Sequence, residues 1–295
     1  MPDTAAADGF VREQGWIWAK LGYRSWWADE RFAGPDDTQT NSNARLGKVV
    51  PFNRESGGSV GVKTLETQIV AVPLPRTELS VYFPVWQQMT LEDPTQRIVT
   101  TGTGDVRTSL EYQITDPGGD AATAVGTEIK IPTTKNEKAL TAIPLSEGQV
   151  DIALYQATSW DVLPKLRLSL DTLFRYRMRG TFPGSTQEFK PGNEVEVGLS
   201  AGGQPVPTIW LSGGLRGLWS TGWTNITENG RATKSGHRNY QQVEGSLYWS
   251  WGRLIGGPAK RFAIDLSASW PFAGWDYPRG VNWAVALAWG GVLGK

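Results

Sequence analysis

Cysteine is absent from all 295 residues, histidine occurs once and methionine three times. Without thiols there is no disulfide framework and no cysteine zinc site, and His237 alone cannot form a Cys/His cluster. No run of about 18 apolar residues occurs, and mean hydropathy is negative. A transmembrane helix is thereby excluded, but not a membrane strand, in which only alternate residues meet lipid. Neither sign of charge predominates. The 29 basic residues balance 29 acidic ones, which removes the basic footprint expected of a nucleic-acid binder. No long amphipathic helix is available to cover a sheet. The opening stretch, Met1 to Gly9, lacks a basic n-region and an apolar h-region. The expectation is that a signal peptide has been removed and that Met1 is a start residue on a mature chain.

What the chain has in excess is tryptophan, fifteen residues of it. Trp favours membrane–water interfaces, where its ring is apolar and its N–H stays wet. The end of the chain shows the pattern into which these residues are set. Val281, Trp283, Val285, Leu287 and Trp289 are large and apolar, whereas Asn282, Ala284, Ala286 and Ala288 between them are small. A period of two describes a strand with two different faces, one suited to lipid and one to a crowded or wet interior. The alternative is a Trp-rich soluble lectin or β-sandwich.

The pattern recurs and predicts twelve strands, at about 15–27, 59–72, 79–90, 104–114, 121–131, 148–157, 165–179, 194–202, 208–220, 239–252, 261–270 and 281–290. Pro84 weakens the third, because proline removes a ladder donor. The second is the least regular. Connections after even-numbered strands are short and rich in turn residues, as in Asp116-Pro117-Gly118-Gly119 and Gly256-Gly257-Pro258. Those after odd-numbered strands are mostly longer, the longest being about 28–58 and 221–238. Short turns at one end and long loops at the other predict an all-β fold: a transmembrane antiparallel up-and-down β-barrel of about twelve strands with periplasmic termini. Residues 1–12 are then an N-terminal periplasmic segment, 13–290 the barrel and 291–295 a C-terminal tail. Outward aromatics fall in two groups, with Tyr23, Trp219 and Trp270 at the upper edge and Trp249, Trp251 and Trp289 at the lower. Phe262 and Trp270 lie eight residues apart on one strand. At roughly 3.3 Å per residue and a tilt near 40°, that is about 20 Å along the membrane normal, close to the ~25 Å apolar band of such barrels.

Three stretches resemble, in order, the motifs of a bacterial outer-membrane transporter family labelled MetA-pathway of phenol degradation: the Gly104-Asp105 strand from Thr103 to Tyr112, the Lys130-Ile131-Pro132-Thr133 run from Gly126, and the Gly148-Gln149-Val150-Asp151 strand start from Leu145. The resemblance is good over roughly residues 100–180 and covers the rest in barrel layout. It implies an outer-membrane barrel and says little of a solute. The chain departs from the usual ending, running from Trp289 to Lys295 without a terminal aromatic, so Trp289 is the candidate assembly-signal aromatic.

The inward face carries the charges. Arg167, Asp171, Arg175 and Arg177 lie on the seventh strand, and Glu194 and Glu196 on the eighth, so Arg177 or Arg179 is expected opposite Glu194 and Arg175 opposite Glu196. Asp105, Arg107 and Glu111 face Glu128 and Lys130 in the same way, and the first strand adds Lys20 and Arg24. The inward aromatics include Trp86, Tyr155, Trp210 and Tyr248, which either stack a ligand or fill space. A charge-lined selective pore and a bracing ion-pair network both fit the charges. Mixed signs favour bracing, since an anion-selective pore should show arginines without matching carboxylates.

An enzyme is not expected. His237 sits in Ser235-Gly236-His237-Arg238 on a long loop, without the held base and orienting group that a Ser–His pair needs. Asp36-Asp37 and Glu92-Asp93 are too isolated for a calcium site, and Asn225-Ile226-Thr227 is a sequon of no weight in a bacterium. No cofactor, metal or nucleic acid is expected. The partners expected are outer-membrane lipid, a small solute and, under a second reading, envelope proteins. The first reading is an outer-membrane channel or transporter passing a small solute through a narrow charged and aromatic lumen. The second is a non-conducting barrel that anchors an envelope-spanning machine of gliding or polysaccharide-export type.

Overall fold

Alternation along the chain becomes alternation across a wall. The computed structural model describes residues 11–33, 48–51, 58–92, 95–116, 118–133, 145, 148–181, 188–222, 224–226, 232–234, 238–257, 261–275 and 277–292. Twelve long strands build the fold: β1 (Trp16–Phe32), β2 (Ser59–Leu74), β3 (Thr77–Glu92), β4 (Val106–Gln113), β5 (Ala121–Ile131), β6 (Asp151–Leu163), β7 (Leu166–Arg177), β8 (Glu194–Val206), β9 (Ile209–Ser220), β10 (Asn239–Trp249), β11 (Phe262–Trp275) and β12 (Tyr277–Val292). Each pairs antiparallel with the next. β12 then pairs back onto β1, from Trp16↔Val292 to Phe32↔Tyr277, so the ring has no free edge. Closure satisfies every strand's backbone groups from within, which is the condition for crossing hydrocarbon with strands.

On β12 the lipid-side residues Trp283 and Leu287 are 45% and 49% exposed, against 9% for Ala284 and 0% for Ala288 on the inner side. Leu21, Ile69, Leu110, Leu154, Leu199, Leu215 and Leu266 continue the exposed apolar band around the ring. Soluble monomers rarely leave an apolar band of this kind to water. Among the described residues the only helix is the four-residue α1 (Gly252–Ile255) between β10 and β11, and no helix is long and apolar enough to cross a membrane.

The strands run further than the alternation alone predicts. β1 reaches Phe32, β6 reaches Leu163 and β12 begins at Tyr277. At the lower end the turns are tight, and Pro75-Arg76 joins β2 to β3 with Arg76 at φ +62°. Arg76 is ion-paired with Asp116 of a neighbouring turn, and that hydrogen bond raises the guanidinium above its ordinary pKa. At the upper end the long connections carry strands of their own. Arg97–Gly102 pairs antiparallel with the upper part of β3, and Val49–Pro51 pairs with the tip of β1. Gly180–Thr181, Glu188–Lys190, Thr224–Ile226 and Ala232–Lys234 form a separate four-stranded sheet above the β7–β8 and β9–β10 hairpins.

Irregularities in the ladder re-aim side chains. The ladder slips between Leu65/Trp86 and Glu66/Pro84, leaving Val85 as an extra residue. Such a bulge reverses the faces of the residues beyond it. A second slip lies between Ala28 and Glu30 on β1.

Candidate functional site

The lumen is lined in layers by inward side chains of neighbouring strands. Uppermost, Lys130 on β5 lies 2.8 Å from Asp151 on β6 and 3.7 Å from Asp105 before β4. Arg177 on β7 reaches Glu194 on β8 at 3.1 Å. One layer down, Arg175 meets the same Glu194 at 2.8 Å and Glu128 at 3.4 Å. Beside it Arg216 on β9 gathers three carboxylates: Asp171 at 2.7 Å, Glu244 at 2.9 Å, and Glu196. The side chains of Arg216 and Glu196 are 3% and 0% exposed, so the heart of the cluster is dry, while Glu244 at 32% meets the cavity. In a low-dielectric wall such pairs hold only because every partner is present.

Across the lumen, Arg24 on β1 forms a two-pronged pair with Glu66 on β2, at 3.0 and 3.1 Å, and the Tyr82 hydroxyl donates to the same carboxylate at 2.9 Å. Lys20 on β1 reaches Asp265 on β11 at 3.4 Å, past the whole width of β12. It can do so because β12 turns only Ala286 and Ala288 inward at that height.

Below the Arg175 and Arg216 layers runs a belt of hydroxyls, with the Arg167–Asp161 and Lys20–Asp265 pairs lower still. Ser80 and Ser109 are 2.7 Å apart, Ser159 and Ser169 2.9 Å, and Ser212 and Ser246 2.6 Å. The charged layers and this belt together line a cavity of about 310 Å³, bounded by Trp18, Lys20, Arg24, Glu66, Tyr82 and Arg216 and by the serines of β8 to β11. Every cation lining it has a carboxylate partner.

The lower mouth is crossed by the segment before β1. The Val11 N–H donates to the Gln113 side-chain oxygen at 2.9 Å, on a strand three places round the ring. The Gly15 N–H donates to the Val72 carbonyl at 2.8 Å, and the Arg12 guanidinium lies 5.0 Å from the Trp16 ring.

Of the residues singled out in the sequence, Arg167, Asp171, Arg175, Arg177, Glu194, Glu196, Asp105, Arg107, Glu111, Glu128 and Lys130 stand at inward or upper-rim positions. Their pairings differ in part from those expected. Glu194, not Glu196, faces Arg175, because the β7–β8 register places Glu196 beside Leu173. Glu196 turns instead to Arg216. Arg179 leaves the lumen for an exposed contact with Glu188, Arg167 pairs with Asp161 near the base, and Arg107 lies over the Tyr82 ring. Tyr155 covers Gly126 and Trp210 covers Gly202, both inside. Tyr248 is inward and level with Trp210.

Trp86 is placed differently. The bulge at Val85 pairs it with Leu65 on the outer face, where it is 37% exposed. Trp219, Trp270, Trp249 and Trp289 lie outward, and Arg261 caps the Trp289 ring at 6.0 Å. Trp251 sits below the strands, stacked on Phe262. Tyr23 stands four residues above Ala19, the partner of Trp289. That is about 10 Å up a tilted strand, nearer the middle of the band than its upper edge.

Arg216, Glu244, Glu66, Asp151, Asp265 and the serine belt carry much of the wall and were not singled out. Their signal is the inward parity of each strand, read for every strand at once. His237, Asp36, Asp37 and Asp93 lie outside the described residues, as do most of the loop at 28–58 and half of that at 221–238. Among the described residues no group of three or more His, Asp or Glu side chains is placed to hold a metal ion.

The profile of the family described as "Putative MetA-pathway of phenol degradation" matches residues 35–286. The chain belongs to that family. Its fold is similar to the crystal structure of an outer membrane channel from Pseudomonas putida F1, at 13% identity and TM-score 0.71 over 99% of each chain. Weaker likenesses include the NanC porin, at 7% identity and TM-score 0.48 over 91% of this chain and 98% of that one. The toluene transporter TbuX of Ralstonia pickettii is another, at 10% identity and TM-score 0.42 over 97% and 92%. No curated protein sequence matches. The chain's fold is thus a closed antiparallel twelve-stranded β-barrel, shared with an outer membrane channel.

Proposed function

We propose that the barrel passes a small solute across the outer membrane by diffusion through its narrow charged and aromatic lumen. The observation that carries this is the cavity of about 310 Å³ enclosed within the closed ring and walled by polar side chains from both halves of it. A barrel of about eight strands is filled by side chains, and one of 16–18 leaves an aqueous channel. A ring of intermediate size with an internal cavity suits selective passage of one small molecule at a time. The paired charges brace the wall, and the Val11–Gln113 contact narrows the lower mouth. Planar-bilayer recording with folded, purified barrel tests the reading. Small, stepwise currents are expected, and a silent bilayer after verified insertion would count against it.

The second reading is a non-conducting barrel anchoring an envelope machine. It is favoured by the density of ion pairs across β5 to β10 and by the segment in the lower mouth. Recovery from native membranes with stoichiometric envelope proteins would support it, and recovery of the barrel alone would not.

A further inference from the structure

The cavity has a chemistry that the channel reading leaves unspecified. Its wall carries serine hydroxyls, among them Ser212 and Ser246, 2.6 Å apart, with Ser267 beside Ser246 on the next strand. Hydroxyls both donate and accept, so they suit a partner that does the same. Asn282 also lines the cavity, and its side-chain carbonyl is buried without a hydrogen-bond partner. The Trp18 and Tyr82 rings add flat apolar surface to the same wall.

The charges decide which molecules are disfavoured. All three cations facing the cavity are already neutralised by carboxylates at 2.7–3.4 Å, so an anion finds no unpaired cation. A hydrocarbon would strip water from the hydroxyls without replacing its hydrogen bonds, which is penalised in a confined site. A neutral molecule carrying several hydroxyls exchanges water for serine hydroxyls at little loss and lays its C–H face against an aromatic ring. The cavity has the liquid volume of about ten waters, at ~30 Å³ each, which is room for one small ring and some solvent.

We propose that this cavity is a binding site for a small, neutral, polyhydroxylated solute of sugar or polyol type. The assignment rests on the channel reading and names the class of its cargo. Proteoliposomes containing the full chain are assayed for swelling in D-arabinose, D-glucose and the neutral amide acetamide, with potassium current measured on the same preparation. Arabinose is expected to enter at a rate that saturates with concentration, whereas acetamide flux rises linearly. The triple variant Ser212→Ala, Ser246→Ala, Ser267→Ala removes only hydroxyl oxygens. It is expected to lower arabinose flux relative to potassium current about fivefold, the effect of losing a hydrogen bond or two. Current without arabinose entry would overturn the sugar assignment and leave a channel. Arabinose flux that never saturates, or that the triple variant leaves unchanged, would overturn the binding site. Neither current nor flux would overturn the channel reading together with it.

Discussion

Arg216 on β9 reaches Asp171 on β7 at 2.7 Å across the full width of β8, and it does so through Gly198, which lies opposite both residues. A Cβ at Gly198 would stand 2.5 Å from the Asp171 carboxylate. The glycine is a gap in the wall through which a guanidinium is delivered to a carboxylate two strands away.

Removing Arg216 leaves Asp171, Glu196 and Glu244 buried or half-buried without their cation. Stripping one partner from a buried pair costs roughly 3–5 kcal/mol, whereas removing opposing charges together costs less than the sum. Arg216→Met should lower stability in urea, with lipid present, by about that much. Adding Glu196→Gln should recover part of the loss. Strict additivity of the two changes would mean that the residues do not interact.

Gly198→Ala forces the Asp171 carboxylate aside and should cost about 1–3 kcal/mol, the usual effect of overpacking. Gly245→Ala is its control, since the nearest atom to a Cβ there is the Ser212 carbonyl at 3.8 Å. Equal unfolding midpoints for the two variants would contradict the role given to Gly198.

Leu287 and Ala288 are sequence neighbours on opposite faces, 49% and 0% exposed. An arginine on the lipid face near the midplane costs roughly 2–4 kcal/mol. Leu287→Arg is therefore expected to be severe and Ala288→Ser mild, by refolding yield and urea titration in vesicles. Similar damage from both would invert the assigned faces.

The barrel was legible because a strand in lipid writes its two faces into neighbouring residues. Val281 to Trp289 is enough to orient β12, and each other strand repeats the lesson locally. The features that were not legible depend on a partner chosen elsewhere. Trp86 follows the inward parity of β3 until the bulge at Val85, opposite Leu65/Glu66, reverses it. Glu196 looked like a partner for Arg175, but the hairpin register runs two residues away from that pairing and gives it to Arg216. Lys20–Asp265 exists only because the ring closes and β12 shows alanine at that height. The serines of the belt resemble ordinary polar strand residues one at a time and become a surface only when several strands are aligned.

The lumen exists only because β1 closes against β12. Gly22 and Ala286 face each other there, and a Cβ at Gly22 would lie 3.0 Å from that of Ala286, near the ~3.5–4.5 Å spacing of a disulfide. The chain has no cysteine of its own, so Gly22→Cys with Ala286→Cys creates its only thiols. Mild oxidation of the folded, membrane-inserted protein should link them within one chain in high yield. The linked chain should then stay in one piece on a non-reducing gel after proteolytic cutting in an upper loop. A control pair on distant strands, Gly22→Cys with Ala124→Cys, should not link. Failure of the first pair to link, or linkage only between separate chains, would contradict a closed twelve-stranded ring in this register.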